Sequence, residues 1–245
     1  MYSISVARPR LIIFASGTKD GGGSGFENLV RHSQIYADRT HPPERLTSSS
    51  RSRIHTDELF DYEVVAVVST FENGGVRQRA DRLGVSFVYL PGPFNAEGYA
   101  SVLQKTRTDY VALSGWMRHV SGLDPARTFN IHPALLSFDH GRFGGKGMYG
   151  HHIHEAVKKA LDAGEIKESG FTMHFVTEEM DRGPIIFECR VPLREGMTAD
   201  EIAEAVNTGE HTWQPKITNM VVHGEIRWDG RDPASLVVPA SLHDI

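Results

Sequence analysis

The sequence predicts an α/β protein built on a doubly wound, mostly parallel Rossmann-like sheet flanked by helices. Two observations carry that expectation. Short runs rich in branched and aromatic residues recur along the chain, nearly continuous in apolar character, as strands covered on both faces are. Between them lie segments of helical period and glycine-rich turns, the alternation expected of a parallel sheet with crossover helices.

The runs occupy residues 11–15, 63–69, 86–90, 110–114, 128–132, 171–176 and 185–191. Residues 152–163 read as a helix, because Ile153, Ala156, Val157, Ala160 and Leu161 fall on one apolar stripe and Gly164 stops it. Thr198-Ala199-Asp200-Glu201 has capping-box spacing and starts a later helix through Ile202, Ala205 and Val206 toward Trp213, with Gly209 expected to interrupt it. Residues 32–57 combine proline, serine and arginine without apolar period and read as a mobile surface insertion. In a doubly wound sheet the ligand crevice lies at the carboxyl ends of the strands, so residues at those ends carry the search for function.

The chain of 245 residues is 40% hydrophobic and 23% charged, the balance of a folded globular protein, and a single domain over 1–245 is expected. Lys+Arg 26 against Asp+Glu 31 gives a net charge of -5, which provides no global attraction to nucleic acid or an anionic membrane. Any phosphate must be bound locally. The lone Cys189 excludes a disulfide scaffold and cysteine-ligated zinc. No run reaches the length of a signal-peptide core or a membrane span, so a cytoplasmic location is expected.

Three strand-end segments carry polar chemistry. The first strand runs through Ser16 and Gly17 into a turn containing Gly21, Gly22, Gly23, Ser24 and Gly25, the kind of strand-to-helix turn whose backbone N–H groups approach a phosphate. It matches neither the P-loop nor the dinucleotide fingerprint, and a plain surface loop is the alternative. In Asn130-Ile131-His132-Pro133, strand alternation puts Asn130 and His132 on one face, an amide donor beside an imidazole, suited to a reaction that develops negative charge on a carbonyl oxygen. A satisfied core histidine with a turn asparagine is the alternative. Asp181, in the polar loop between the last two runs, is positioned to orient His132 and raise its pKa, or else forms an Asx turn. His140, His151, His152, His154 and His174 have no carboxylate or thiolate at a familiar ligand spacing, so no metal is expected. Residues 144–150 form a glycine-rich loop with one cation, Lys146, able to close over an anion.

Taken together, Ser114-Gly115-Trp116-Met117-Arg118, Asn130-Ile131-His132-Pro133-Ala134-Leu135-Leu136 and the segment His174 to Ile186 resemble the folate-dependent formyltransferase family, in the right order and across most of the chain. The resemblance implies transfer of a formyl group from N10 of 10-formyltetrahydrofolate to the amine of glycinamide ribonucleotide in purine synthesis. It implies that Asn130, His132 and Asp181 are catalytic. Ser16, Gly17, Gly23, Ser24 and Gly25 would hold the ribonucleotide phosphate, and Glu210 the rest of that substrate. Met117, Arg118, His119 and Val120 would line the pterin side of the folate, with Val176 and Glu178 in the loop on its other side.

The departures from the family pattern lie in the phosphate region. Thr18 to Gly22 lengthen the loop, and Gly25 replaces an asparagine for which Asn28 is a candidate substitute. An arginine common before the helix after the third strand is absent from Phe94-Asn95-Ala96-Glu97-Gly98-Tyr99, and Lys146 is the candidate replacement cation. The expected partners are therefore small molecules, with no nucleic acid, no membrane and no metal, in a monomer or homodimer. The alternatives within the same chemistry are another acceptor amine, such as an amino-sugar nucleotide, or formyl-folate hydrolysis.

Overall fold

The computed structural model describes residues 7–40 and 59–242. In chain order the elements are β1 (Arg10–Phe14), α1 (Ser24–Arg31), α2 (Gln34–Thr40), β2 (Glu63–Ser69), α3 (Gly75–Leu83), β3 (Ser86–Tyr89), α4 (Ala96–Thr106), β4 (Tyr110–Ser114), β5 (Thr128–His132), α5 (His151–Asp162), β6 (Glu168–Phe175), β7 (Ile185–Pro192) and α6 (Ala199–Val222). All lie in a sheet of order β3-β2-β1-β4-β5-β6-β7 or against it. β1 to β5 pair in parallel, whereas β6 runs antiparallel to β5 and β7 antiparallel to β6.

Alternation along β1 divides the core between the two faces of the sheet. Leu11 and Ile13 pack with Phe26 and Leu29 of α1, Val76 of α3, Ile153 and Val157 of α5, and Ile202 and Val206 of α6. Ile12 and Phe14 pack instead with Tyr99 and Val102 of α4, Val111, Leu113 and Trp116. Because the chain returns from β3 to add β4 on the other side of β1, the carboxyl ends of β1 and β4 diverge and open a crevice between them.

Two expectations change. Gly209 does not interrupt α6, which continues to Val222 through Gly209 and Pro215. Its hydrogen replaces a Cβ that would stand 3.2 Å from the ring of Phe171, so the residue costs helix propensity while permitting close contact between α6 and β6. The start of the expected insertion is also ordered, with α2 at Gln34–Thr40 and a bridge between Ser33 and Phe60. The remainder of the expected insertion, residues 41–57, lies outside the described residues. Gly164 behaves as expected, following α5 with a left-handed φ of 70°.

The capping box that opens α6 is formed on both sides. Thr198 Oγ1 accepts from the Glu201 N–H at 3.2 Å, and the Glu201 carboxylate accepts from the Thr198 N–H at 2.7 Å. Thr198→Ala is expected to lower unfolding stability by about 1 kcal/mol in urea titration, while Thr198→Ser stays close to the parent.

Candidate active site

A cleft of about 420 Å³ occupies the crevice and is walled by six segments: the start of α1, the stretch after β4, the end of β5, the loop from Lys146 to Gly150 that leads into α5, the end of β6 with the loop that follows it, and the middle of α6. Its size suits a small-molecule substrate.

At the α1 end, Gly23 caps the helix with a φ of 79° and no side chain, and the first helical bond runs from Glu27 N to the Gly23 carbonyl at 3.0 Å. The N–H groups of Ser24, Gly25 and Phe26 precede that bond and are the helix's orphan donors. Gly23, Ser24 and Gly25 line the cleft. Gly17 lines an adjoining depression instead. Ser16 is buried and acts as a tie, its Oγ accepting from Met117 N at 2.9 Å and its carbonyl from Ser69 Oγ at 2.8 Å. Asn28 does not substitute for a side chain at 25, because its amide donates to the His211 carbonyl at 2.8 Å and joins α1 to α6. Glycine at 25 has its own reason: a Cβ there would lie 2.3 Å from Ser114 Oγ and 3.0 Å from Gln214 Oε1.

After β4, Met117, Arg118, His119 and Val120 line the cleft. Trp116 anchors them, packed edge-on against Phe14 at 5.1 Å, and Arg118 lies 4.9 Å over Phe94. Tyr99 donates to the His119 carbonyl at 2.8 Å, and His119 Nε2 donates to the Glu178 carbonyl at 2.9 Å across the cleft. Glu178 thus contributes its backbone there while lining a separate depression, whereas Val176, Thr177, Met180 and Asp181 line the cleft.

The strand register assembles the polar centre. Antiparallel pairing sets Asn130 of β5 directly opposite His174 of β6. His174 Nδ1 faces the Phe175 carbonyl at 2.8 Å, which only accepts, so Nδ1 carries the proton and Nε2 accepts from Asn130 Nδ2 at 3.1 Å. That bond fixes the Asn130 amide and leaves its second N–H for another acceptor. By the same logic His132 Nε2 donates to the Phe143 carbonyl at 2.7 Å, leaving Nδ1 as the acceptor nitrogen, 3.7 Å from Asp181 Oδ2. The other oxygen of Asp181 stands 3.6 Å from His174 Nε2. Asp181 itself sits at φ 55° and accepts from Gly145 N at 2.8 Å. The neck of its loop closes at Gly183, where a Cβ would fall 1.8 Å from the Phe175 carbonyl oxygen.

Burial and the facing groups together set the charge states. Burial raises the Asp181 pKa, but the facing His174 and His132 imidazoles and the Gly145 N–H outweigh it and hold the group at about 2. For His132 burial pushes the pKa down and prevails over the upward pull of Asp181 and of the Phe143 carbonyl. This corrects the expectation of a charged His132: the imidazole is neutral near pH 7 beside an ionised carboxylate. A proton arriving at Nδ1 would turn that contact into an ion pair, so the arrangement is a proton acceptor.

On α6, Asn207, Glu210 and Gln214 share the face that lines the cleft. Burial raises the Glu210 pKa to about 7, against a smaller opposing hydrogen bond from Asn207 Nδ2 at 3.2 Å. Lys146 lines the cleft and is exposed. His174, Asn207 and Gln214 were not among the expected site residues. Alternation along β6 and the i, i+3, i+7 spacing about Glu210 are the signals that find them. Among the described residues, no three His, Cys, Asp or Glu side chains are grouped to hold a metal ion. His154 is buried, its pKa lowered to about 4 by burial and by His151 and His132.

Residues 52–218 match the family model described as formyl transferase. The chain belongs to the formyl transferase family. The match spans Asn130, His132, Asp181 and Glu210, while the glycine turn lies before it. Among curated relatives, the chloroplastic phosphoribosylglycinamide formyltransferase of Vigna unguiculata is 30% identical over 236 residues, covering 92% of this chain and 64% of the relative. The trifunctional purine biosynthetic protein adenosine-3 of Bos taurus is 36% identical over 236 residues, covering 92% of this chain and 20% of the relative. The chain thus spans about two thirds or less of the length of these relatives. A solved structure, glycinamide ribonucleotide transformylase 1 from Symbiobacterium toebii, aligns with a TM-score of 0.69 at 26% identity, covering 95% of each chain. No helix among the described residues is long and apolar enough to cross a membrane.

For a formyl transferase the arrangement offers one fixed amide donor, one neutral imidazole and one ionised carboxylate lining one cleft. Asp181→Asn removes the one group among the described residues that, besides the Phe143 carbonyl, raises the His132 pKa. The His132 ring is expected to titrate at still lower pH in that variant by NMR, and an unchanged or higher titration would contradict the assignment of the coupling.

Proposed function

We propose that this chain transfers the formyl group of 10-formyltetrahydrofolate to the amine of glycinamide ribonucleotide, as a step of purine biosynthesis. The observation that carries the reading is the convergence of Asn130, His132 and Asp181 on a cleft that ends at the orphan donors of α1 and is flanked by Glu210. The names of the relatives, which include glycinamide ribonucleotide transformylases and purine biosynthetic proteins, support the acceptor. The chemistry of the site supports the step.

The amine nitrogen attacks the formyl carbon and forms a C–N bond, and the carbonyl electrons move onto oxygen. The free N–H of Asn130 donates to that oxyanion; loss of one such donor typically costs about 2.7–4 kcal/mol of transition-state stabilisation. His132 accepts a proton from the attacking nitrogen, and Asp181 stabilises the imidazolium so formed. Returning the proton to N10 as the carbon–N10 bond breaks gives formylglycinamide ribonucleotide and tetrahydrofolate. The phosphate lies on the N–H groups of Ser24 and Gly25, with Lys146 as a mobile counter-charge. The folate lies between Met117 to Val120 and the loop of Val176 to Asp181. The catalytic unit is one domain.

The assay mixes the protein with 10-formyltetrahydrofolate, with and without glycinamide ribonucleotide, and follows folate absorbance. Release that depends on the ribonucleotide and falls by about 10²-fold or more in Asn130→Ala is expected; release without acceptor would make the protein a hydrolase. Glu210, with a pKa of about 7, is neutral below that pH and a carboxylate above it. Ribonucleotide affinity is therefore expected to tighten as pH rises through about 7, and Glu210→Gln to abolish that dependence in calorimetric titration.

A further inference from the structure

The phosphate end of the cleft contains a charge arrangement that the transfer chemistry does not itself require. Glu27, in the first turn of α1, is one helical turn from the donors of Ser24 and Gly25. A carboxylate there favours the isolated helix but opposes an anion bound at the same terminus. Three guanidinium groups close over it: Arg31 at 2.6 Å, Arg82 at 2.7 Å and Arg79 in direct contact. Burial raises the Glu27 pKa, but the hydrogen bonds from Arg31, Arg82 and Arg79 prevail and bring it to about 2. The cluster therefore carries more positive than negative charge.

Arg79 differs from the other two because it also holds the loop. Its Nε donates to the Gly22 carbonyl at 2.9 Å, and its Cδ lies 3.5 Å from where a Cβ at Gly23 would stand. Gly22, at φ 88°, is folded so closely on Gly17 that a Cβ would meet Gly17 Cα at 2.6 Å. The lengthened loop rests on α3, with Gly75 N donating to the Thr18 carbonyl at 3.1 Å. Arg79, also on α3, ties the far end of that loop to the start of α1.

We infer that Arg79 is a positioning residue for the acceptor's phosphate, holding the lengthened loop through Gly22 and masking the Glu27 carboxylate so that the first turn of α1 accepts an anion. This rests on the ribonucleotide reading, which puts the acceptor's phosphate on the first turn of α1; the role of Arg79 there is a separate claim.

Inorganic phosphate separates the two. In the whole protein, phosphate titration followed by the amide resonances of Ser24 and Gly25 is expected to show saturable binding, weakened about tenfold in Arg79→Met. Glu27→Gln in the Arg79→Met background is expected to recover part of that loss, a rescue that a purely structural role would not give. In the transfer assay Arg79→Met should raise KM for glycinamide ribonucleotide about tenfold, leaving KM for the formyl-folate within about twofold and the thermal midpoint close to the parent. Unchanged phosphate binding in Arg79→Met, no binding in the parent, no rescue by Glu27→Gln, or equal rises in both KM values would each overturn the inference. Phosphate binding that behaves as stated in a protein that does not formylate the ribonucleotide would sink the acceptor assignment and leave Arg79 in its role.

Discussion

The antiparallel pairing of β6 with β5 is the constraint from which the polar centre follows. Parallel strands deliver Asn130 and His132 to the crevice, but only the reversed strand sets His174 opposite Asn130 and returns the chain so that Asp181 lies within 3.7 Å of both imidazoles. The two backbone carbonyls that take the protonated nitrogens of His132 and His174 then fix both tautomers. A fixed tautomer on His174 orients the Asn130 amide, and a fixed tautomer on His132 leaves its basic nitrogen toward the carboxylate. The buried centre is thus set before any ligand enters, which is the condition under which hydrogen-bond donors stabilise a developing charge without reorganising.

The same burial sets the acid–base character. Desolvation keeps His132 neutral and raises Glu210 toward neutrality, while Asp181 keeps its charge because the His174 and His132 imidazoles beside it and the Gly145 N–H together outweigh its burial. Two carboxyl groups in one cleft therefore play different parts. A similar separation of local from global charge holds at the glycine turn, where a chain of net charge -5 gathers three guanidinium groups about one carboxylate. Net charge argues about long-range attraction and says little about a phosphate held by oriented backbone and a few near charges.

Much of the fold was legible in the sequence because strands buried on both faces leave continuous apolar runs. All seven expected runs coincide with strands, with ends shifted by a few residues. Asn130 and His132 were legible as a pair because the strand period is fixed at two. Features that depend on tertiary register were not. The reversal of β6 has no local signature, since an antiparallel strand buried on both faces reads like a parallel one, so alternation along β6 marks His174 without showing that it stands opposite Asn130. Gly209 misled because its helix cost is offset by contact with Phe171, which propensity alone does not contain. Ser16 and Glu178 lie at the right places in the chain, yet their side chains turn to the core and to a second depression. The charge of His132 was inferred from its partner without the larger effect of burial.

A crystal structure with glycinamide ribonucleotide and a folate analogue lacking a transferable formyl group tests the account most directly. The account predicts the phosphate on the N–H groups of Ser24 and Gly25, the amine beside Glu210, and N10 of the analogue on the side of the cleft where Asn130 presents its free N–H. A ribonucleotide bound with its phosphate away from α1, or a folate whose N10 lies out of reach of Asn130 and His132, would contradict it.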